Sequence, residues 1–235
     1  MKKPKSVNKC IVDADIVAYR AAAGTEGKKV SETYAKVDTL MEYIVGETIL
    51  FPTISNLDCF LSGSSNFRYD VAKTAPYKGN RKGEKPANLP AARKHLVSEW
   101  GATVSIGEEA DDLVGIAATK YDPETTVVCT IDKDMLQIPC WHFNFVKDTW
   151  TKVSEAEGSL FFYTQILTGD AADNIKGIYR VGPVKAAKIL EGCSTEQELY
   201  DACVKAYDGD LDRVLENARL LWLRRYEGEM WMPPL

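Results

Sequence analysis

Apolar and polar positions along this chain change period several times, and the changes mark its elements. Residues 10 to 19, CIVDADIVAY, begin as a short apolar run and end in Asp13 and Asp15. That is the pattern of a buried first strand whose carboxyl end carries functional groups. From Ser31 to Ile49 the positions Tyr34, Val37, Met41, Ile44 or Val45, and Thr48 recur at helical spacing, predicting a core-facing helix capped by Ser31. NLDCFLSG (56–63) reads as a second strand and TVSIG (103–107) as a third. An apolar strand over 125–131 ends directly in Asp132 and Asp134, and the alternation of Phe143, Phe145 and Thr149 predicts one more. Between them, Asn88 caps a helix that runs to Trp100 and stops at Gly101. A further helix starts at EEADD, with a stripe at Leu113, Ile116 or Ala117, and Lys120 or Tyr121.

Past residue 158 the pattern is helical. LFFYTQILTG comes first, followed by a helix over 183–191 with Pro183 at its first position and Gly192 just beyond its end. Ser194 and Gln197 read as a capping box before ELYDACVKAY, and Leu211, Leu215, Ala218 and Trp222 stripe a last helix. The chain therefore divides into an α/β core, 1–158, and a helical subdomain, 159–235. A length of 235 residues suffices to bury a core in both.

Composition changes little in this picture. At 45% hydrophobic and 27% charged residues, with no low-complexity tract or repeat, it is that of an ordinary globular protein. The basic start, MKKPKSVNKC, precedes no long apolar run, so neither a signal peptide nor a membrane anchor is expected and the expected location is the cytoplasm. Six cysteines without a C-x-x-C spacing read as reduced core thiols, and His142 as structural. The net charge of −5 argues against a nucleic-acid partner until its distribution is considered. Basic residues concentrate at 73–94, 176–188 and 213–225, while the acids fall in tight groups.

Two basic stretches carry candidate binding residues. Residues 68–88 are polar and rich in Gly and Pro, an exposed excursion in which Tyr77, Lys78 and Arg81 suit stacking on an end base and gripping phosphate. A solvated basic loop is the plainer alternative. In the second stretch, the glycines of 177–182 permit positive φ and close approach of backbone to a ligand, and the helix that follows offers free amides. Lys176, Gly177, Gly182, Lys185 and Lys188 thus read as a helix-hairpin-helix-like clamp on a DNA backbone, against an ordinary helix pair with a glycine turn.

The acids supply the candidate chemistry. Asp13, Glu109, Asp111, Asp112, Asp132, Asp134, Asp170 and Asp173 come from four places, each at a strand end or at the helix start after one. Helix capping accounts for one or two of the three at 109–112. For Asp170 and Asp173, spaced three apart behind Gly169, a shared cation and helix amides are both open. Unpaired carboxylates gathered together repel and raise one another's pKa values unless cations fill the group, and oxygen-only donors select Mg²⁺ or Mn²⁺. Two such ions about 4 Å apart are a known arrangement for hydrolysing a phosphodiester.

VDADIVAY, APYKGNRK, GEEADDLVG, TIDKDMLQI and TGDAADNIKGIYRVGPVKAAKIL, in this order and spacing over residues 10 to 192, resemble the 5′ nuclease family of flap endonucleases and 5′-3′ exonucleases. In length and in the short basic excursion the chain is most similar to the bacteriophage members. The resemblance implies a PIN-like α/β core with a mostly parallel sheet, a basic arch segment at 68–100, and a helix-three-turn-helix in the helical subdomain. It implies that Asp13, Glu109 and Asp111 hold one divalent ion and that Asp112, Asp132, Asp134, Asp170 and Asp173 surround a second. It implies further that Lys78 and Arg81 approach the scissile phosphate, Asp13, Lys78 and Arg81 forming the catalytic set. The helix-three-turn-helix, centred on Gly177 to Lys188, would hold the duplex, with K⁺ bound. The implied partners of a monomeric enzyme are double-stranded DNA with 5′ ends, nicks or flaps, and RNA in hybrids, in DNA replication.

One departure stands out. The family usually has another Asp at the end of the second strand, where this chain has Ser62 and Gly63, and Asp58 lies too early to replace it. Residues 82–88 are too short and too rich in Gly and Pro for a long arch helix. Two rivals remain: a haloacid-dehalogenase-like phosphatase, from Asp13-x-Asp15 and the Gly-Asp-x-x-Asp at 169–173, and a non-catalytic DNA-end binding protein, from Ser62 and Gly63.

Overall fold

The structure, a computed structural model, describes residues 3–49 and 56–234, so Met1 and Lys2 of the basic start and Leu235 of the C-terminal tail lie outside the described residues. The chain runs through β1 (Lys9–Asp13), α1 (Ala14–Gly24), α2 (Val30–Thr48), β2 (Leu57–Leu61), α3 (Arg68–Val71), α4 (Leu89–Trp100), β3 (Thr103–Val104), α5 (Ala110–Thr119) and β4 (Thr126–Cys129). A 3-10 turn (Lys133–Gln137) leads to β5 (Trp141–Asn144) and β6 (Thr149–Lys152). Then follow α6 (Glu155–Thr168), β7 (Gly169–Asp170), β8 (Ile175–Lys176), α7 (Pro183–Ile189), α8 (Glu196–Ala206) and α9 (Leu211–Leu221). No helix among the described residues is long and apolar enough to cross a membrane.

These elements form two compact units. One comprises residues 1–66, 83–153 and 225–227, the other 67–82, 154–224 and 228–235. The first is built on a six-stranded sheet of order β3-β2-β1-β4-β5-β6, parallel except for β6. All five residues of β1 are buried between β2 and β4, where Cys10 lies opposite Leu57 and Val12 opposite Cys129. A continuous apolar run is what a parallel strand covered on both faces requires. Its core takes in Val12, Val17 and Ala21, then Val37, Met41 and Ile44 from the expected face of α2, and Leu96 from α4. Each large side chain buried there contributes about 1.5–3 kcal/mol.

Local chemistry moved several predicted boundaries. α2 starts at Val30 behind an extended Lys29, and Ser31 falls inside its first turn rather than capping it. The third strand pairs only over Thr103–Val104, since Ser105 turns its hydroxyl onto the Glu108 carbonyl and Gly107 takes a φ of 79°. The single strand expected over 142–150 is a hairpin. The Asn144 side-chain carbonyl accepts from the Val146 and Lys147 amides at 3.2 and 3.0 Å, and Asp148 turns at φ 50°. α4 ends on a left-handed Gly101 and has Asn88 at its N-cap position as expected, yet the Asn88 side chain makes no capping bond; its side-chain amide donates to the Lys28 carbonyl and the Thr33 hydroxyl.

The second unit packs α6, α7, α8 and α9 around Phe162, Tyr163, Ile166, Ala186, Leu199, Cys203, Val214 and Ala218. Ser154 with Glu157 caps α6, and the box before α8 is Thr195 with Glu198, one residue beyond the expected pair. Because Asp210 caps α9, its inward face is Val214, Ala218 and Leu221, and Leu211 is exposed. The excursion at 68–88 is only partly exposed. Arg68 is buried and donates to the Leu220 and Trp222 carbonyls at 2.8 Å, where the end of α9 leaves acceptors without helical partners.

β7 and β8 form a two-residue antiparallel pair whose ends close backbone against backbone. A Cβ on Gly177 would stand 2.2 Å from the Thr168 carbonyl carbon, and one on Gly169 2.3 Å from the Gly177 nitrogen. Gly177 thus serves a chain-on-chain approach rather than a positive φ, and Gly182, at φ −102°, does not need one either. We predict that Gly177→Ala costs about 2–4 kcal/mol in a urea melt, because backbone has to move. Gly182→Ala, with open space around it, should cost under about 1 kcal/mol.

Candidate active site

Six of the eight candidate acids belong to the α/β unit and line the carboxyl edge of its parallel strands. Asp13 ends β1 and caps α1 through the Ile16 amide. Asp132 and Asp134 follow β4, the strand beside β1. Glu109 and Asp112 form the capping box of α5, with Asp111 between them. The start of α5 is tied to the end of β2, where the Ala110 amide donates to the Ser62 hydroxyl at 3.0 Å. In open parallel sheets this edge is where strand ends and helix starts leave polar backbone to meet a ligand.

Asp13 is 2% exposed, and its carboxyl is pushed from the ordinary 3.8 up to about 7. Burial is the main cause, with the charges of Asp15 and Asp132 adding to it, while the Thr130 hydroxyl and the Ile16 amide pull the other way. Thr130 links two of the acids. It donates to Asp13 Oδ2 at 2.9 Å and accepts from the Asp132 amide at 3.0 Å, and Asp132 accepts in turn from the Asp134 amide at 2.9 Å. Among the described residues no three His, Cys, Asp or Glu side chains gather into a ready-made metal cage. Their donor chemistry nonetheless fits a hard divalent cation: oxygen donors only, one of them buried and repelled by two neighbouring carboxylates.

The end of β2 shows what occupies the place of a further acid. The Ser62 amide donates to Asp15 Oδ2 at 2.8 Å, and Arg93 binds both Asp15 and the Ser62 carbonyl. Gly63 cannot bear a side chain, because a Cβ there would lie 2.1 Å from the Ser105 carbonyl oxygen. Asp58, in mid-strand, pairs with Lys9 at 2.8 Å. Asp15 and Arg93 were missed as site residues. The D-x-D spacing hinted at the first, whereas no local pattern marks an arginine on the polar side of α4.

The helical unit holds Asp170, Asp173 and every candidate basic residue. Asp170 accepts from the Ala172 amide at 2.7 Å in the tight turn between β7 and β8. Asp173 is the hub of this turn. Tyr77 donates to its Oδ2 at 2.7 Å, Arg81 to its Oδ1 at 2.6 Å, and the Lys78 ammonium lies 3.7 Å from Oδ2. The Lys78 amide donates to the Asp173 carbonyl at 2.9 Å, Asn80 to the Ala171 carbonyl at 2.6 Å, and Asn174 to the Pro76 carbonyl at 2.9 Å. Tyr77 is therefore no base-stacking residue. It is 5% exposed, packed edge-on against Tyr69 in the helical core. Lys176, Lys185 and Lys188 are exposed.

A buried carboxylate on α9 supports this loop. Glu216, 8% exposed, accepts from the Lys73 and Thr74 amides and the Thr74 hydroxyl, each at 2.7 Å, and from Arg213 at 2.8 Å. Despite its burial these bonds hold its pKa below the usual value. Arg213 and Asn217 also donate to the Lys176 carbonyl, each at 2.8 Å. Glu216 stands some 140 positions from the loop it holds, so no spacing reveals it.

The shift at Asp13 fixes a pH dependence. A folded-state pKa above the unfolded one means that the folded chain holds the proton more tightly, so this contribution is full below about pH 4 and is lost as pH rises through about 7. Asp13→Asn should therefore melt several degrees above the parent at pH 8 in chelator, and show little difference at pH 4. Thermal melts at the two pH values check it, and equal differences at both would contradict the assignment.

No family model matches the chain. It is 32% identical over 144 residues to a flap endonuclease Xni of Shewanella sp. (strain ANA-3), covering 54% of this chain and 55% of that protein. It is 32% identical over 158 residues to a 5′-3′ exonuclease of Buchnera aphidicola subsp. Schizaphis graminum, covering 60% and 54%. The chain thus spans about half the length of these curated relatives. In fold it matches a bacteriophage T5 protein crystallised with metal ions, with a TM-score of 0.68 at 16% identity over 91% of this chain and 89% of the other. These matches favour the nuclease resemblance over the phosphatase one. With a mostly parallel core, a helical subdomain and this similarity in sequence, the chain is similar to the flap endonucleases and 5′-3′ exonucleases of the 5′ nuclease family.

Proposed function

We propose that this protein is a divalent-metal-dependent, sequence-independent nuclease that hydrolyses DNA phosphodiesters at 5′ ends, nicks or flaps. The observation that carries this reading is the run of acids along the carboxyl edge of the parallel sheet, with Asp13 buried among them. The relatives' names, flap endonuclease and 5′-3′ exonuclease, support it, as does a solved T5 flap endonuclease complex with DNA and metal ions. Magnesium or manganese would suit the donors of the α/β unit, Asp13, Glu109 and Asp111 for one ion and Asp112, Asp132 and Asp134 for a second; the resemblance adds Asp170 and Asp173 of the helical unit to the candidate ligands. When bound, such ions supply an activated water and neutralise charge on the phosphate.

The chain's own residues supply the rest. Lys78 and Arg81 are cations held in place by Asp173, close enough in sequence and space to act on one phosphate together. Lys176, Lys185 and Lys188, exposed around the hairpin before α7, suit backbone phosphates of a duplex and read no bases. In the same reading this hairpin is the helix-three-turn-helix, taking K⁺. RNA in hybrids as a substrate, a role in replication, a phage-like origin and a monomeric state rest on the resemblance, and a cytoplasmic location is the expectation from the sequence.

Two sets of variants test the reading. Asp134→Asn and Asp170→Asn should each lower turnover by several orders of magnitude while DNA binding survives. Turnover equal to the parent's at saturating Mg²⁺ would end the metal-ion reading, and binding without cleavage by the parent would favour a DNA-end binding protein. Lys78→Ala should slow cutting far more than it weakens binding, because a cation beside the reacting phosphate acts on charge that builds in the transition state. Lys185→Ala should do the reverse and reduce the salt dependence of binding by about one counterion. Indistinguishable profiles for the two lysines would refute the division between chemistry and grip.

A further inference from the structure

The α/β unit holds an arginine at its acidic edge. Arg93 projects from the second turn of α4, where one terminal nitrogen pairs with Asp15 Oδ1 and the other donates to the Ser62 carbonyl. The Ser62 amide donates to Asp15 Oδ2 at 2.8 Å, so acid, arginine and strand end close into a ring. Both anchors adjoin candidate metal ligands. Asp15 lies in the first turn of α1, two residues after Asp13, and the Ser62 hydroxyl accepts from the Ala110 amide, next to Glu109. Arg93 therefore stands at the end of β2, where Ser62 and Gly63 supply no acid, tied to the elements that carry Asp13 and Glu109.

A tether between helix and sheet would not need this much. A guanidinium carries five N–H groups, and the bonds to Asp15 and Ser62 leave some of them over. Among the described residues the remaining N–H groups meet no acceptor, although the side chain is only 29% exposed. Fixing so long a side chain costs about 2 kcal/mol of rotamer entropy, whereas a half-exposed ion pair returns about 0–1 kcal/mol. Asp15 acts here as an anchor, because each of its oxygens already accepts a bond.

We propose that Arg93 is a further catalytic residue, its unpartnered N–H groups taking a non-bridging oxygen of the phosphate that is cut. The inference rests on the nuclease reading above and adds a cation from the same unit as Asp13, Asp132 and Asp134, so that the sheet sets its position relative to these acids. A row of carboxylates repels an anionic phosphate, and a fixed guanidinium at the end of β2 reverses the sign of the charge there. As charge builds on the phosphoryl oxygens in the transition state, a donor already held in place needs no reorganisation. A guanidinium stays charged and offers planar, directed N–H bonds, while an ammonium at the same place would keep the charge and lose that geometry.

The test uses the full chain and a 5′-labelled nicked duplex, with single-turnover cleavage in saturating Mg²⁺ measured beside binding in chelator and thermal melts. Arg93→Ala should cut about 100- to 1000-fold more slowly, while its Kd in chelator changes by less than about threefold. Free guanidinium ion at millimolar concentration should restore at least about tenfold of the rate to Arg93→Ala and none to the parent, a rescue that a lost tether would not show. Arg93→Lys, which can keep the pair with Asp15 and with it the fold, should still cut about tenfold more slowly. A parental rate in Arg93→Lys, or a loss in Arg93→Ala that guanidinium does not restore, would overturn the proposal and leave Arg93 a tether. A parent that binds the duplex without cutting it in Mg²⁺ would instead remove the nuclease reading itself, and this inference with it.

Discussion

The buried carboxyl of Asp13 is the constraint on which the α/β unit depends. β1 lies between two parallel neighbours with all its residues buried, and α1 begins directly after it, so the residue at the junction has no route to bulk water. A carboxylate there loses hydration and meets the charges of Asp15 and Asp132. An apolar residue would remove that cost. The surroundings instead moderate it: Thr130 and the Ile16 amide donate to Asp13, and Arg93 balances Asp15. A bound cation would relieve the desolvation and repulsion at this acid, in keeping with the function proposed above.

The helical unit applies the same logic to cations. Lys78 and Arg81 lie on a loop that Asp173 holds from one side, through Tyr77 and the backbone of 171–174, and Glu216 from the other, through the amides of Lys73 and Thr74. Long basic side chains lose entropy when fixed, and a loop without such anchors would not hold them. A buried Glu216 with four donors is a far stronger tie than a surface ion pair.

Much of this was legible in the sequence because it is local. The apolar run ending in Asp13, the helical spacing of Val37, Met41 and Ile44, Gly101 after α4, and Pro183 at the head of α7 each express backbone rules acting within a few residues. Lines of acids after β1 and β4 were readable for the same reason. What failed to show depends on partners far along the chain. Tyr77 sits in a segment whose glycines and prolines resemble an exposed loop, and only the packing of α9 and the Asp173 turn buries it. No local pattern marks Glu216 as buried. By sequence Gly177 reads as a glycine that lets backbone approach a ligand, whereas its missing side chain makes room for Thr168. The positive φ expected of the hairpin's glycines falls on Arg180, which composition cannot reveal.

The function proposed above is metal-dependent cleavage at a DNA 5′ end. The most direct measurement follows early products from one nicked or blunt duplex in Mg²⁺, labelled at either the 5′ or the 3′ end. Short 5′-labelled products should appear first whatever the sequence, closed circles should persist, and a bulky group on the 5′ end should inhibit. Release of nucleotides from the 3′-labelled end at the rate of the 5′ end would contradict the account.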